Sequence, residues 1–359
     1  EIILLRMPRI LALAHAFPPH YCSQDELSSA LRIAWQDQGL DVAVFDRLQR
    51  NVQVQGRYLA RPLEEYHHFN SFTQTNQIWQ EEALHLGEQV VRQVLDQAQL
   101  AANQVQLLMS TTVTGIAVPS LEARLMNRLP FAPTTRRIPL FGLGCLAGTA
   151  GIARCADYLQ AYPTHAALLL SVELCSLTLQ KQDLSVANLI ASGLFGDGAA
   201  AALLVGDEHP LAPAAPVSVM DSCSVFFPDS EEVMGWKISA SGLKIVLSPG
   251  VPHYTREMLP GPLKNFLAQH NLEFGDIRHW VSHPGGPKVI DALEEGLALP
   301  VGTLNRTRQS LTEIGNLSST SVLIILEEWL CDRIAEPGDW GMMLSMGPGF
   351  CAEAALLRW

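Results

Sequence analysis

The sequence predicts an α/β fold of stacked layers built from two sequential halves. Three observations carry that expectation. Short apolar, β-rich runs alternate with helical patterns along the chain, the alternation pauses at the proline- and alanine-rich segment HPLAPAAPVSV (209–219), and it restarts afterwards. The third is composition: 48% of the 359 residues are hydrophobic and 17% charged, enough apolar material for a large buried core. Strands separated by helices are expected to pair in parallel with both faces covered. A site is expected between the halves, taken as residues 1–207 and 208–359.

Each element follows from its local pattern. RILALAHAFPP reads as a buried first strand running into a proline turn. A polar helical region at 24–38 and a helix at 76–98 come next, then the strand QLLMSTTVTG (106–115), which ends at Gly115. A short helix over 119–129 leads to the strand IPLFGLG (138–144), a helix starting at Cys145, the buried strand AALLLSVEL (166–174) and the strand within GDGAAAALLVGD (196–207). In the second half the pattern gives a helix at 254–270, a strand in RHWVSHPGG (278–286) that runs into a glycine turn, and a helix at 287–299. NLSSTSVLIILEEWLCDR (316–333) opens as a small-residue turn and becomes a helix; GMMLSMGPGFCAEAALLRW (341–359) reads as a hairpin with GPG at its centre. Residues 1–6 precede Met7, and the sequence leaves open whether they are native.

A net charge of −12 argues against a general nucleic-acid or anionic-membrane binder, because either surface would repel the chain. No apolar run reaches the roughly 18–20 residues of a membrane-spanning helix. The seven cysteines, at 22, 145, 155, 175, 223, 331 and 351, show neither CxxC pairs nor disulfide-scaffold density, which fits a reduced, cytoplasmic setting. No histidine pattern matches a zinc site, and the adjacent His67 and His68 are expected to point apart. No metal is expected.

Cys145 stands out from the other cysteines. It follows an apolar strand and the turn glycines Gly142 and Gly144, and it precedes small residues at helical spacing, so its sulfur is expected at a helix N-terminus, where free N–H groups favour a thiolate. The glycines read as a dinucleotide loop fail on spacing: they give GxGxxxG, and the acidic residue that follows, Glu173, lies within a strand. A nucleophilic cysteine needs a base and an anion-stabilising donor. His283, at a strand end beside a Gly-Gly turn, and Asn316, before a helix, supply those types. Alone, His283 would be an ordinary core histidine and Asn316 an N-cap. Together the three sit at strand ends or pre-helix turns of an α/β chain, where catalytic groups converge.

From Met7 to Trp359 the sequence resembles the type III polyketide synthases, the chalcone synthase-like condensing enzymes of the thiolase superfamily. The resemblance rests on GCLAG at Cys145, LFGDGAAA (194–201), HPGGP at His283, GNLSS at Asn316 and GPGF (347–350), in that order. His283 follows Cys145 by 138 residues and Asn316 follows His283 by 33, in keeping with the family's Cys-His-Asn order. Bacterial β-ketoacyl-ACP synthase III shares the triad and fold, but HPGGP, LFGDG and GPGF are worded more like the polyketide synthases.

The resemblance implies a duplicated, five-layered αβαβα thiolase-like fold with the site between its halves. It implies that Cys145 attacks an acyl-CoA thioester as a thiolate paired with His283, and that His283 and Asn316 hold the malonyl-CoA thioester oxygen during decarboxylation. No metal or redox cofactor is needed. Phe195 matches an aromatic gatekeeper, and the second gatekeeper position is Ile245, which implies a wider or more apolar entrance. Val113, Thr178 and Trp236 match cavity-wall positions; Val113 replaces a polar residue of plant members, and Trp236 either narrows one branch or turns away. Ser318 is expected beside Asn316, and Gly347, Pro348 and Gly349 resemble a cyclisation-pocket loop. For CoA the matching positions are Arg50, with Arg57 nearby, and the loop of Gly285, Gly286, Pro287 and Lys288. Arg50 and Lys288 read equally well as solvated surface charges. A homodimer is implied, with TGIAVPS (114–120) near the partner's cavity and Val118 where plant members carry a larger residue.

Wall apolarity at Val113 and Ile245 points to a medium- or long-chain fatty acyl starter, closed to alkylpyrones or alkylresorcinols. The alternatives are a synthase that condenses malonyl-CoA alone into a naphthalene or phloroglucinol core, a fatty-acid initiation enzyme using carrier-bound malonate, and a scaffold that has lost its chemistry. The intact Cys-His-Asn set opposes the last.

Overall fold

The computed structural model describes residues 6–359, so the reading of residues 1–5 lies outside it. The first half runs β1 (Arg9–Ala16), β2 (His20–Ser23), α1 (Gln24–Trp35), α2 (Val42–Asn51), β3 (Gly56–Leu59), α3 (Phe72–Ala98), β4 (Leu107–Thr112), α4 (Leu121–Leu125), β5 (Arg136–Phe141), α5 (Ala147–Ala161), β6 (Ala166–Leu174), α6 (Val186–Leu194) and β7 (Asp197–Val205). The second runs β8 (Val217–Phe226), β9 (Met234–Ser239), β10 (Gly242–Leu247), α7 (Val251–His253), α8 (Pro260–Gln269), β11 (Ile277–Ser282), α9 (Pro287–Gly296), α10 (Asn305–Ile314), α11 (Ser321–Asp332), β12 (Trp340–Gly347) and β13 (Cys351–Arg358).

Nine strands form one sheet in the order β11-β12-β13-β8-β1-β7-β6-β4-β5. From the central β1 outward, pairing to β7 and β6 is antiparallel and then β6 to β4 is parallel. From β8 outward the same sequence recurs, antiparallel to β13 and β12 and parallel to β11. The duplication expected from the restarted alternation is therefore visible in strand direction.

The expectation of parallel pairing throughout is corrected: β4–β5, β4–β6 and β11–β12 are parallel and the other pairs antiparallel. Apolar runs encode coverage of both faces, and β6 and β7 are buried at every residue, but coverage does not fix direction. Three apolar clusters account for the layering. One packs α1 and α3 on the outer face of the first half. A second sandwiches α5 and α11 between strands of both halves, and a third packs α8 and α9 on the outer face of the second half.

Local differences have local causes. Ser71 caps α3, its hydroxyl accepting from the Gln74 N–H, so the helix starts four residues before the expected 76. The helix expected at 119–129 shrinks to α4, and the strand expected at 138–144 occupies 136–141, leaving Gly142 to Gly144 as a turn. The connector ends early because β8 begins at Val217. The β2–β3 and β9–β10 pairs and α10 carry no sequence expectation. The stretch NRTRQSLTEI of α10 is polar, and β9 is exposed along half its length. The rings of His67 and His68, expected to diverge, lie 3.7 Å apart because both close one 3-10 turn.

The middle layer depends on a close crossing of α5 and α11. A Cβ on Gly148 would lie 2.3 Å from the Ser319 carbonyl oxygen and 2.6 Å from a Val322 methyl. Gly148→Ala is therefore expected to lower the unfolding free energy by about 1–3 kcal/mol in urea titration. Gly261→Ala, on α8 with nothing within 4 Å, is the control expected to hold or gain stability. Equal stability of the two variants would contradict this crossing.

Candidate active site

The strand β5 runs out into a turn with Gly142 at φ +95° and Gly144 at φ +53°. Gly144 is needed for space as well as conformation, since a Cβ there would meet the Pro348 ring at 2.7 Å. Cys145 then sits in a single 3-10 turn (Gly144–Leu146) that feeds α5. The sulfur thus precedes the helix by one tight turn, where the sequence placed it in the helix's first turn.

His283 is the first residue beyond β11, and its backbone N–H donates to the Leu344 carbonyl at 2.9 Å. Asn316 is not an N-cap. It forms an isolated parallel bridge with Phe195: its N–H donates to the Leu194 carbonyl at 2.9 Å, and its carbonyl accepts the Gly196 N–H at 3.0 Å. Its side-chain oxygen accepts the Ser318 N–H at 2.8 Å, so the carboxamide has its amide donors to offer. Ser318 holds φ +50°, an uncommon conformation for a residue with a Cβ and one that clusters at functional sites.

These residues enclose one cavity of about 40 Å³, lined by Cys145, His283, Asn316 and Ser318 and by Val113, Phe195, Trp236, Ile245, Gly285 and Pro348. A second, apolar cavity of about 620 Å³ lies beside it, and Cys175, Phe195, Trp236 and Ile245 line both. Trp236 and Ile245 are cross-strand partners on the β9–β10 hairpin, so the tryptophan forms part of the wall next to the smaller aliphatic side chain. Thr178 lines only the larger cavity, its hydroxyl donating to the Cys175 carbonyl at 2.7 Å. Gly347 and Gly349 flank Pro348 without lining either; a Cβ on Gly347 would lie 2.8 Å from the Leu143 carbonyl. Arg50 and Lys288 are exposed, and Gly286 precedes α9.

Arg57 departs from its expected place. It is 1% exposed, and its guanidinium donates to the carbonyls of Phe195 at 3.0 Å and Ser192 at 3.4 Å. Such a group cannot reach a surface phosphate.

Glu173 was passed over in the sequence as one carboxylate in an apolar strand. It lies buried beneath the Cys145 cavity wall and accepts the Val113 N–H at 3.0 Å, the Thr114 hydroxyl at 2.9 Å and the Ser319 hydroxyl at 2.6 Å. Burial raises its pKa above its ordinary value, against the hydrogen bonds it accepts. A lone acid inside a buried β-run was the available signal. Cys175, which faces both cavities, carried none. Cys155 is buried in the middle-layer core. Among the described residues no group of three or more His, Cys, Asp or Glu is placed to hold a metal.

Electrostatics correct the expected resting ion pair. Burial pushes the Cys145 thiol up to about 12, with the Ser318 hydrogen bond acting against it, and pushes His283 down to about 3. Burial therefore favours a neutral thiol and a neutral imidazole on the same cavity wall, and the helix end does not by itself hold a thiolate.

Near neutral pH the thiol keeps its proton and the imidazole carries no charge. Alkylation of Cys145 by iodoacetamide, followed by peptide mass, is therefore expected to climb about tenfold per pH unit from about pH 7 to pH 9. His283→Gln should climb with the same slope, because only the ionised fraction of a thiol with a raised pKa reacts. A wild-type rate that is flat over this range would contradict the neutral resting pair.

Two family models match the chain, "Chalcone and stilbene synthases, N-terminal domain" over residues 7–208 and the corresponding C-terminal domain over 218–359. A 1,3,6,8-tetrahydroxynaphthalene synthase of Streptomyces peucetius subsp. caesius is 44% identical over 99% of this chain and 94% of its own length. A putative chalcone synthase of Bacillus subtilis is 37% identical over 98% of this chain and 99% of its own. Among solved structures, 1,3,6,8-tetrahydroxynaphthalene synthase from Streptomyces coelicolor, a bacterial type III polyketide synthase, superposes with a TM-score of 0.92 at 32% identity, covering 98% of this chain and 99% of that one. With both halves matched and relatives aligned over nearly the whole length, the chain belongs to the chalcone and stilbene synthase family and is a type III polyketide synthase, a condensing acyltransferase with the thiolase fold.

Proposed function

We propose that this enzyme condenses malonyl-CoA units, without a separate fatty acyl starter, into a polyhydroxylated aromatic core of the naphthalene or phloroglucinol type. The observation that carries this reading is the 44% identity over 99% of the chain to a tetrahydroxynaphthalene synthase. A phloroglucinol synthase of Pseudomonas fluorescens, 29% identical over 97% of the chain, points the same way. It replaces the fatty acyl starter expected from Val113 and Ile245 as the first reading, and family membership sets aside the fatty-acid initiation and scaffold alternatives. One observation keeps the fatty acyl route as a second reading: the apolar cavity of about 620 Å³ beside Phe195 is of a size that buries an extended ligand.

In this reading His283 takes the Cys145 proton as sulfur attacks a thioester carbonyl. The tetrahedral intermediate collapses, and the CoA thiolate leaves with that proton. A second malonyl-CoA then loses CO2, and the Asn316 amide and the His283 ring N–H donate to the enolate oxygen that forms. Donors fixed in place before charge develops are worth about 2.7–4 kcal/mol each in comparable sites. The enolate carbon attacks the acyl-Cys145 thioester, and the Cys145 thiolate is expelled for the next round. The small dry cavity keeps water from the enolate. Arg50 and Lys288, with Gly285 and Gly286, are proposed to receive CoA, and CoA thioesters are the only small molecules the cycle needs.

We also propose a homodimer. The edge strand β5 leaves Ile138 and Phe141 exposed, with Val118 at 92% exposure in the nearby loop, an edge that soluble proteins normally cover. Among the described residues no helix is long and apolar enough to cross a membrane.

With malonyl-CoA as sole substrate, mass spectrometry is expected to show a polyhydroxylated aromatic product. Cys145→Ala should abolish it while retaining malonyl-CoA decarboxylation. A requirement for a fatty acyl-CoA, with only alkyl products, would overturn the malonyl-only reading in favour of the second. Sedimentation should give the mass of two chains, and a monomer at all concentrations would contradict the dimer.

A further inference from the structure

Phe195 has an unusual mechanical problem. It lines both the small cavity and the large apolar one, so its packing against the core of the second half is only partial. Its backbone is nevertheless the point where the first half meets Asn316, through the Leu194 carbonyl and the Gly196 N–H. Something must fix this tripeptide from the first half's side.

The group in position is Arg57. One guanidinium nitrogen donates to the Phe195 carbonyl at 3.0 Å and to the Ser192 carbonyl at 3.4 Å, both at the C-terminal end of α6, where carbonyls lack helical partners and a cation is favoured. The other terminal nitrogen donates to the Gln24 side-chain oxygen. Gln24 in turn donates to the Gln49 side-chain oxygen at 2.8 Å, and Gln49 donates to the Leu189 carbonyl of α6 at 2.8 Å. Two glycines let this relay approach. A Cβ on Gly196 would lie 3.1 Å from the Arg57 Cβ, and one on Gly193 would lie 2.1 Å from the Gln49 side chain. Arg57 directs all its hydrogen bonds to neutral acceptors and leaves the nearby buried Asp197 as a counter-charge without a direct contact, although burying a cation is costly. That expense has a purpose if it fixes geometry next to the reacting atoms.

We propose that Arg57, itself oriented by Gln24, is a positioning residue that sets the Phe195–Asn316 bridge and thereby the rate of decarboxylation, and has no part in binding CoA. The inference rests on the proposed role of Asn316 in that step. A misplacement near 1 Å at such a site costs up to about 100-fold.

The test is steady-state malonyl-CoA decarboxylation by the full chain, with thermal unfolding measured alongside. Arg57→Met is expected to lower kcat about tenfold or more with KM changed less than about threefold. Arg57→Lys should recover part of the loss, since it keeps the charge at the helix end and loses the two-pronged fork. Gln24→Ala should give a smaller fall in the same direction, and these two variants carry the test if Arg57→Met does not fold. A raised KM at unchanged kcat would make Arg57 a CoA contact and overturn the proposal. A lowered Tm with unchanged kcat in the folded variants would make it merely structural and overturn it equally. Asn316→Ala separates the two levels. If it decarboxylates like wild type, the assigned role of Asn316 fails; if it is inactive while the Arg57 and Gln24 variants are normal, only the present inference fails.

Discussion

Two hydrogen bonds of the Asn316 backbone, to the Leu194 carbonyl and from the Gly196 N–H on either side of Phe195, tie the halves of this enzyme together beside the small cavity. The bridge matters because neither residue belongs to a regular element. Phe195 ends α6 and Asn316 follows α10, and without the bridge the buried N–H groups of Asn316 and Gly196 and the carbonyls they meet would be unpaired, at a cost of about 1–3 kcal/mol each. Around it the other pieces converge from both halves. The Cys145 turn packs on Pro348 through Gly144, α5 presses its Gly148 onto the Ser319 carbonyl, and Ser319 donates to Glu173 in β6. Movement of one half against the other would therefore move Cys145 relative to His283 and Asn316.

The same convergence dries the site. Cys145, His283, Asn316 and Ser318 are all nearly inaccessible, and in such surroundings an isolated charge is expensive. The physical result is that the Cys145 thiol and the His283 imidazole both rest uncharged near neutral pH. Neutral, directed donors suit an enolate better than a fixed cation, because they stabilise an oxyanion without holding the malonyl carboxylate that must leave. Two cavities adjoin here: the small one is lined by Cys145, His283 and Asn316, and the larger apolar one shares Cys175, Phe195, Trp236 and Ile245 with it.

Much of this was legible in the sequence, for physical reasons that differ from element to element. Strands buried on both faces announce themselves as unbroken apolar runs, so AALLLSVEL and β6 coincide residue for residue. The convergence of Cys145, His283 and Asn316 on one cavity was legible because glycine turns and strand ends mark where the backbone makes room. Strand direction was not, since β7 would look the same running either way. The hairpin β9–β10 was missed because its half-exposed residues lack a clean alternation, although it carries both Trp236 and Ile245. Arg57 was misplaced for a simpler reason: a basic residue next to a candidate phosphate contact looks the same whether its guanidinium points into water or into the core. Glu173 and Gln24 take their meaning from partners more than a hundred and about thirty residues away, respectively, which only the folded chain brings near.

Two cysteines, Cys145 and Cys175, line the small cavity at the seam, and the proposed function requires that only Cys145 takes the acyl group. Rapid acid quench of the wild-type enzyme during turnover, followed by peptide mass mapping, tests it most directly. The account predicts an acyl mass on the peptide carrying Cys145 and none on that carrying Cys175, which faces the same cavity. Acylation at Cys175, or turnover with no acylated cysteine at all, would contradict it.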